Sequence, residues 1–178
     1  LFFSNNKQNS SAEISQNTKS IFHLNDNKRN ILISYKEAIN KKIPNDLNFK
    51  NKVISLKIGN QININIFTEK LYGNDFENVE FVTCPGEFSI RGYIIDVFSF
   101  SNDKPFRIVL SNNTIETITI FETETQLSIK KIEEITIAPN IENINLIDSN
   151  SYIFSHLKNN TIIWIEDKNI MLSEFDKN

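Results

Sequence analysis

The sequence predicts an α+β fold: a small antiparallel-sheet module with one helix, flanked by partial α/β segments. Three observations carry this. Between Glu87 and Phe121 the strand-type runs E-F-S-I-R-G-Y-I-I-D-V-F, F-R-I-V-L and I-E-T-I-T-I-F are separated by polar turns at Ser101–Pro105 and Ser111–Asn113, the pattern of an antiparallel meander. Upstream, Ile66, Phe67 and Leu71 form an apolar stripe behind a candidate N-cap at Asn63 or Asn65, with Gly73 as the stop. Near the two ends, Ile31-Leu32-Ile33 and Thr161–Ile165 are short apolar runs of the kind found in buried strands.

In chain order, Leu1-Phe2-Phe3 reads as the end of a buried strand, and Leu in place of an initiating Met marks the chain as part of a longer protein. Residues 4–20 are polar and without hydrophobic periodicity, which predicts a mobile loop. Asn30–Ser34 reads as a buried parallel-type strand. Ser34 is the candidate cap of a helix from Tyr35 to Asn40, which Pro44 keeps from extending. Lys52–Ile58 alternates and ends at Gly59-Asn60, so a strand and a turn are expected there. Val79–Thr83 alternates again and leads into Pro85-Gly86, where Pro fixes φ and Gly supplies the positive φ of a tight turn.

The run from Glu87 to Phe98 reads as one long strand with Ser89, Arg91, Tyr93 and Ile95 on one face and Ile90, Ile94 and Phe98 on the other. Gly92 within it marks a bulge or a close backbone approach. After Gln126, the spacing of Ile129, Ile132 and Ile135 is helix-like, with Lys130-Lys131 and Glu133-Glu134 on its exposed face. An Asn-rich linker, a helical turn at Ser151–Leu157, the buried strand Thr161–Ile165 and a last helix, Ile170–Phe175, capped by Glu166-Asp167, complete the reading.

Composition narrows the function. At 178 residues, 39% hydrophobic and 23% charged, the chain is an ordinary globular sequence with no apolar run long enough to span a bilayer and no secretory signal pattern. A net charge of −3 argues against non-specific nucleic-acid binding, which needs a basic stripe. A single cysteine, Cys84, excludes an internal disulfide and fits a reducing cytoplasm; beside a turn it reads as a small, partly buried side chain. No G-x-x-x-x-G-K-[ST] is present, and the four glycines build no phosphate loop, so no cofactor is expected. His23 and His156 are far apart and read as ordinary surface or partly buried histidines, not a shared metal site. Glu116, Glu122 and Glu124 alternate along the last meander strand and its exit as a solvated strand face.

The ordered series P-G-E-F-x-x-R-G-x-I-I-D-V-F at Pro85–Phe98, P-F-R-I at Pro105–Ile108 and E-x-I-x-x-F-x-x-x-T-Q at Glu116–Gln126 resembles the UvrB-homology module of the bacterial transcription-repair coupling factors, the Mfd family. The resemblance covers roughly Ile31 to Phe175 and implies three parts: residues 1–48 and 130–178 as pieces of a degenerate nucleotide-fold (RecA-like) domain, and 49–129 as the interaction module between them. The two flanking pieces are expected to pack together. In UvrB and Mfd this module docks onto UvrA, the damage-recognition ATPase of nucleotide excision repair, and the full-length family engages RNA polymerase and double-stranded DNA through parts not present here. The implied function is non-catalytic protein binding, with no ATP-driven translocase in this stretch.

By its motif, the docking arginine carries over to Arg91. With Tyr93 it forms an Arg–Tyr pair of the kind that anchors interfaces, and Arg107 on the neighbouring strand extends it. On residues alone, Arg91 pairing with Asp96 or Glu87 as an exposed, weakly stabilising ion pair is the competing account. UvrB has further basic residues where this chain has Ser89 and Asn78, and Mfd-like sequences have Gly-Asp and Arg where it has Asn112-Asn113 and Thr119. With that charge gone, the patch steers association less and rests more on apolar contact. A UvrB fragment is one rival reading; it would bring a Walker lysine and an aromatic-rich hairpin, which are not seen. A free-standing DNA- or RNA-binding β-module is the other, and the acidic balance opposes it.

Overall fold

The computed structural model describes residues 2–3, 11–25, 29–142 and 151–165. Its centre is a six-stranded sheet in the order β4 (Glu77–Asn78), β5 (Glu87–Arg91), β6 (Ile94–Val97), β7 (Phe106–Ser111), β8 (Thr114–Phe121) and β9 (Ser128–Ile132). β4 runs parallel to β5, and every other neighbour is antiparallel. The inner face carries Phe88, Ile95, Val97, Phe106, Ile108, Leu110 and Ile118. It packs on Phe67 and Leu71 of α4 (Ile64–Tyr72) and on Leu56, Ile135 and Ile137 of a two-stranded ribbon, β3 (Ile54–Lys57) with β10 (Glu134–Ile137). The class is α+β, as the sequence predicts.

Local chemistry accounts for the elements. Asn63 caps α4 by accepting from the Ile66 amide at 3.2 Å, and Gly73 ends it. Ile66 points outward, so the buried stripe is Phe67 and Leu71 alone. Asn112 and Asn113 both have positive φ, 50° and 64°, the left-handed pair that a tight β7–β8 turn requires. The expected single strand 87–98 is in fact a hairpin: Gly92, at φ 60°, turns the chain, and Arg91 lies opposite Ile94. Ile95 therefore moves to the core face, Ser89 and Arg91 share the outer face with Asp96, and Tyr93 stands at the turn.

Four further expectations are corrected. Residues within the expected loop 4–20 form α1 (Ser11–Leu24). The helix buries Ile21 and, beside it, polar side chains, Glu13, Ser15, Asn17, Thr18 and Ser20, and Ser15 Oγ donates to the Phe100 carbonyl at 2.9 Å. Val79–Thr83 is not a strand: the Val79 amide still donates to the Phe88 carbonyl at 2.9 Å, but beyond it side chains take the backbone groups, namely the Glu80 and Val82 carbonyls and the Thr83 and Cys84 amides. The helix-like spacing after Gln126 is β9, since Ile132 reaches the core by pairing with β8. Thr161–Ile165 is not a buried strand but an irregular, exposed segment, with Trp164 91% exposed. The last helix, at 170–175, and the linker after Glu142 lie outside the described residues.

The flanks build a second core. β1 (Phe2–Phe3) pairs in parallel with β2 (Ile33–Ser34); the strand expected over Asn30–Ser34 is thus parallel but only two residues long, and it is not buried, with Ile31 and Ile33 exposed. α2 (Lys36–Ile39) is capped at Tyr35 rather than Ser34, without a side-chain bond. A helix not foreseen, α3 (Asp46–Lys52), starts at Asn45, whose side chain accepts from the Asn48 amide at 2.8 Å. Ile21, Ala38, Ile43, Phe49, Ala138, Ile141 and Ile153 form one cluster, so residues from before and after the central module do pack together. Ser99 ties this cluster to the module by accepting from the Ala138 amide at 2.9 Å.

His156, in a 3₁₀ turn (Ile153–His156), is buried here, not superficial. Its Nε2–H donates to the Pro44 carbonyl at 2.8 Å, so Nδ1 is the acceptor facing Asn25 Nδ2 at 3.4 Å, while Asp46 Oδ1 lies 3.9 Å away. Burial pushes its pKa below the ordinary 6.5, and the Pro44 bond and Asp46 charge offset this only in part. A folded-state pKa below the unfolded one makes a contribution that is present above about pH 6.5 and lost as pH falls from there through the folded pKa. Urea unfolding followed from about pH 7.5 to about 5.5 should show stability falling with acidification, and His156→Gln should flatten that fall. Equal slopes in the two proteins would reject this role.

Candidate protein-docking face

The outer face of the sheet is built around one carboxylate. Asp96, on β6, sits opposite Ser89 on one side and Arg107 on the other, which follows from the strand registers. It has 0% side-chain exposure. Arg107 Nε donates to Asp96 Oδ1 at 2.7 Å and Nη2 to Oδ2 at 2.9 Å, a bidentate fork. Arg107 Nη1 donates to the Gln126 carbonyl at 2.9 Å, and its guanidinium lies 4.6 Å from the Phe121 ring centre. The hydrogen bond to Asp96 raises the Arg107 pKa above its already high ordinary value, against the effect of burial.

Arg91 takes the other side of the same carboxylate, Nη2 donating to Asp96 Oδ2 at 2.5 Å. It pairs with Asp96 and not Glu87, whose carboxylate instead accepts from the Thr83 and Cys84 amides at 2.6 and 2.8 Å. With a fully buried partner this is not the weak exposed pair that composition suggests, because the carboxylate has no solvent to turn to in place of its arginines. Arg91 Nη1 also donates to the Glu80 carbonyl at 2.6 Å and to Ser89 Oγ at 3.1 Å. Ser89 is buried and donates to the same carbonyl at 3.2 Å.

Of the predicted site residues, Arg91, Ser89 and Arg107 thus form one network through Asp96. Tyr93 stands beside it at the hairpin turn, 65% exposed. Asn78 is exposed on the edge strand β4. Three participants escaped the sequence reading. Asp96 was seen only as one possible partner, although its place in a run of buried apolar residues signals a paired charge. Gln126, at φ 58°, donates through Nε2 to the Val82 carbonyl at 3.2 Å and fastens the 79–84 segment to the sheet. Phe81, on that segment, is 56% exposed with its ring centre 5.7 Å from Arg91 Cζ.

The remaining candidates are less involved. Cys84 is exposed rather than partly buried. Glu116 and Glu124 face solvent, while Glu122 pairs with Lys104. Among the described residues no cluster of His, Cys, Asp and Glu could hold a metal ion, and no helix is long and apolar enough to cross a membrane.

The family model for the UvrB interaction domain matches residues 54–143, which take in the whole outer face. The chain is similar to the transcription-repair-coupling factor of Bacillus subtilis, 30% identical over 109 residues that make up 61% of this chain and 9% of that protein. It is also similar to the factor of the same name from Staphylococcus aureus, 34% identical over 110 residues (62% of this chain, 9% of that protein). With the factor from Staphylococcus haemolyticus the identity is 29% over 145 residues, 82% of this chain and 12% of the relative. The chain spans about a tenth of the length of these relatives.

Proposed function

The chain belongs to the UvrB interaction domain family, and from that premise we propose that it is a non-catalytic docking module that binds the excision-repair ATPase UvrA through the outer face of its sheet. The supporting observation is the Arg91 site itself: a half-exposed arginine immobilised on a buried carboxylate, with two exposed aromatic side chains, Phe81 and Tyr93, close by. Arginine and aromatic anchors that are rigid before binding lose little entropy on docking and dominate interface energetics. On this reading residues 49–129 are the docking unit and the flanks a scaffold. RNA polymerase and double-stranded DNA are engaged by other parts of a coupling factor.

The test is calorimetric titration of the chain with UvrA from the same organism. Arg91→Glu is a poor probe, because it sets a second carboxylate against buried Asp96 and threatens the fold. Tyr93→Ala is better: the side chain stands at a turn in solvent, so stability should hold while affinity falls at least about tenfold, or about 1.4 kcal/mol. The reading is lost if folded wild-type protein shows no binding to UvrA stronger than about 1 mM.

A further inference from the structure

The hydrogen bonds of Arg91 all point into its own chain. Nη1 serves the Glu80 carbonyl and Ser89, and Nη2 serves Asp96. Three of its five N–H groups are used in this way, and one of them grips the residue immediately before Phe81. The segment 79–84 has no strand ladder and is pinned at every other point. Val79 and Val82 pack on Phe98 and Phe121, Gln126 holds the Val82 carbonyl, and Glu87 holds the Thr83 and Cys84 amides. Phe81 stands out of this fastened segment, 56% exposed, with the Arg91 guanidinium against its ring. Ile94, opposite Arg91 in register and 36% exposed, adds apolar surface on the same side.

We infer that Phe81 is the contact residue of the docking face and Arg91 a positioning residue that presents it, the complementary site on the partner being an apolar pocket. This rests on the docking reading given above. An exposed ring held at a fixed place suits a preformed apolar pocket, since its conformational entropy is already spent before binding.

The experiment is a double-mutant cycle read by calorimetry against UvrA, with Phe81→Ala, Arg91→Met and the combination, each first checked for folding by urea denaturation. Phe81→Ala should keep the wild-type unfolding midpoint and weaken binding at least about tenfold. Because Arg91 acts through Phe81, adding Arg91→Met to Phe81→Ala should weaken binding further by no more than about twofold, although Arg91→Met alone is costly. Should Arg91→Met not fold, Arg91→Lys takes its place in the cycle. Unchanged binding by Phe81→Ala, or losses that simply multiply, would overturn the inference by returning the contact to Arg91 itself. Absence of wild-type binding would instead overturn the docking reading beneath it.

Discussion

Asp96→Ala is expected to destabilise the fold by about 3–5 kcal/mol, a large share of the whole stability of a domain this size. The carboxylate is fully buried and accepts three charge-assisted hydrogen bonds, two from Arg107 and one from Arg91. Deleting it leaves two guanidinium groups facing each other across β6 with nothing between them. Arg107 cannot easily leave, because Nη1 is also bound to the Gln126 carbonyl and its plane lies against Phe121. Arg91 can swing toward solvent, but then releases the Glu80 carbonyl and loosens the 79–84 segment. Asp96→Asn, which keeps an acceptor oxygen and loses the charge, should fall between wild type and Asp96→Ala. Urea unfolding provides the measurement. A loss below about 1 kcal/mol for Asp96→Ala would mean that the network behaves as a surface ion pair after all.

This network also explains how far the sequence could be read. The meander from Glu87 to Phe121 is legible because its alternation and its turns, Pro85-Gly86 and Asn112-Asn113, agree with each other; only the tight turn at Gly92 was hidden, inside a run whose period continues across it. Elements that owe their place to partners far away in sequence were not legible. α1 places Ile21 in the second core, but most of its buried side chains are polar, such as Ser15 against Phe100, and hydrophobic periodicity does not register a hydroxyl-to-carbonyl contact between residues so distant. β9 carries isoleucines at helical spacing and becomes a strand because β8 offers a free edge. Thr161–Ile165 has every local mark of a buried strand, but among the described residues nothing pairs with it. At the candidate site, the motif singles out Arg91, and the strand registers join Ser89 and Arg107 to it through Asp96. Their roles depend on distances across three strands, and Phe81 lies on a segment that local alternation wrongly assigned to the sheet.

Gly86→Ala should cost about 2–6 kcal/mol, from two separable sources. Gly86 has φ 90°, a conformation that side chains avoid, and both of its backbone groups are committed: its N–H to the Phe98 carbonyl at 2.8 Å and its carbonyl to the Glu77 amide at 2.8 Å. The peptide therefore cannot rotate to relieve the strain without breaking the β4–β5 junction. A Cβ would also stand 2.4 Å from Phe100 Cζ. Phe100 is 4% exposed, meets the Phe76 ring edge-on at 5.2 Å, and has its own carbonyl bound by Ser15, so the ring has nowhere to go. Gly92→Ala supplies the control: its φ is also positive, at 60°, but nothing lies within 4 Å of the added carbon, so only backbone strain of about 1–2 kcal/mol is expected. Gly86→Ala combined with Phe100→Leu should cost less than the sum of the two single changes, because the smaller side chain makes room for the methyl group. If the losses simply add, or if Gly86→Ala is no worse than Gly92→Ala, then the Phe100 contact is not what fixes glycine at this turn.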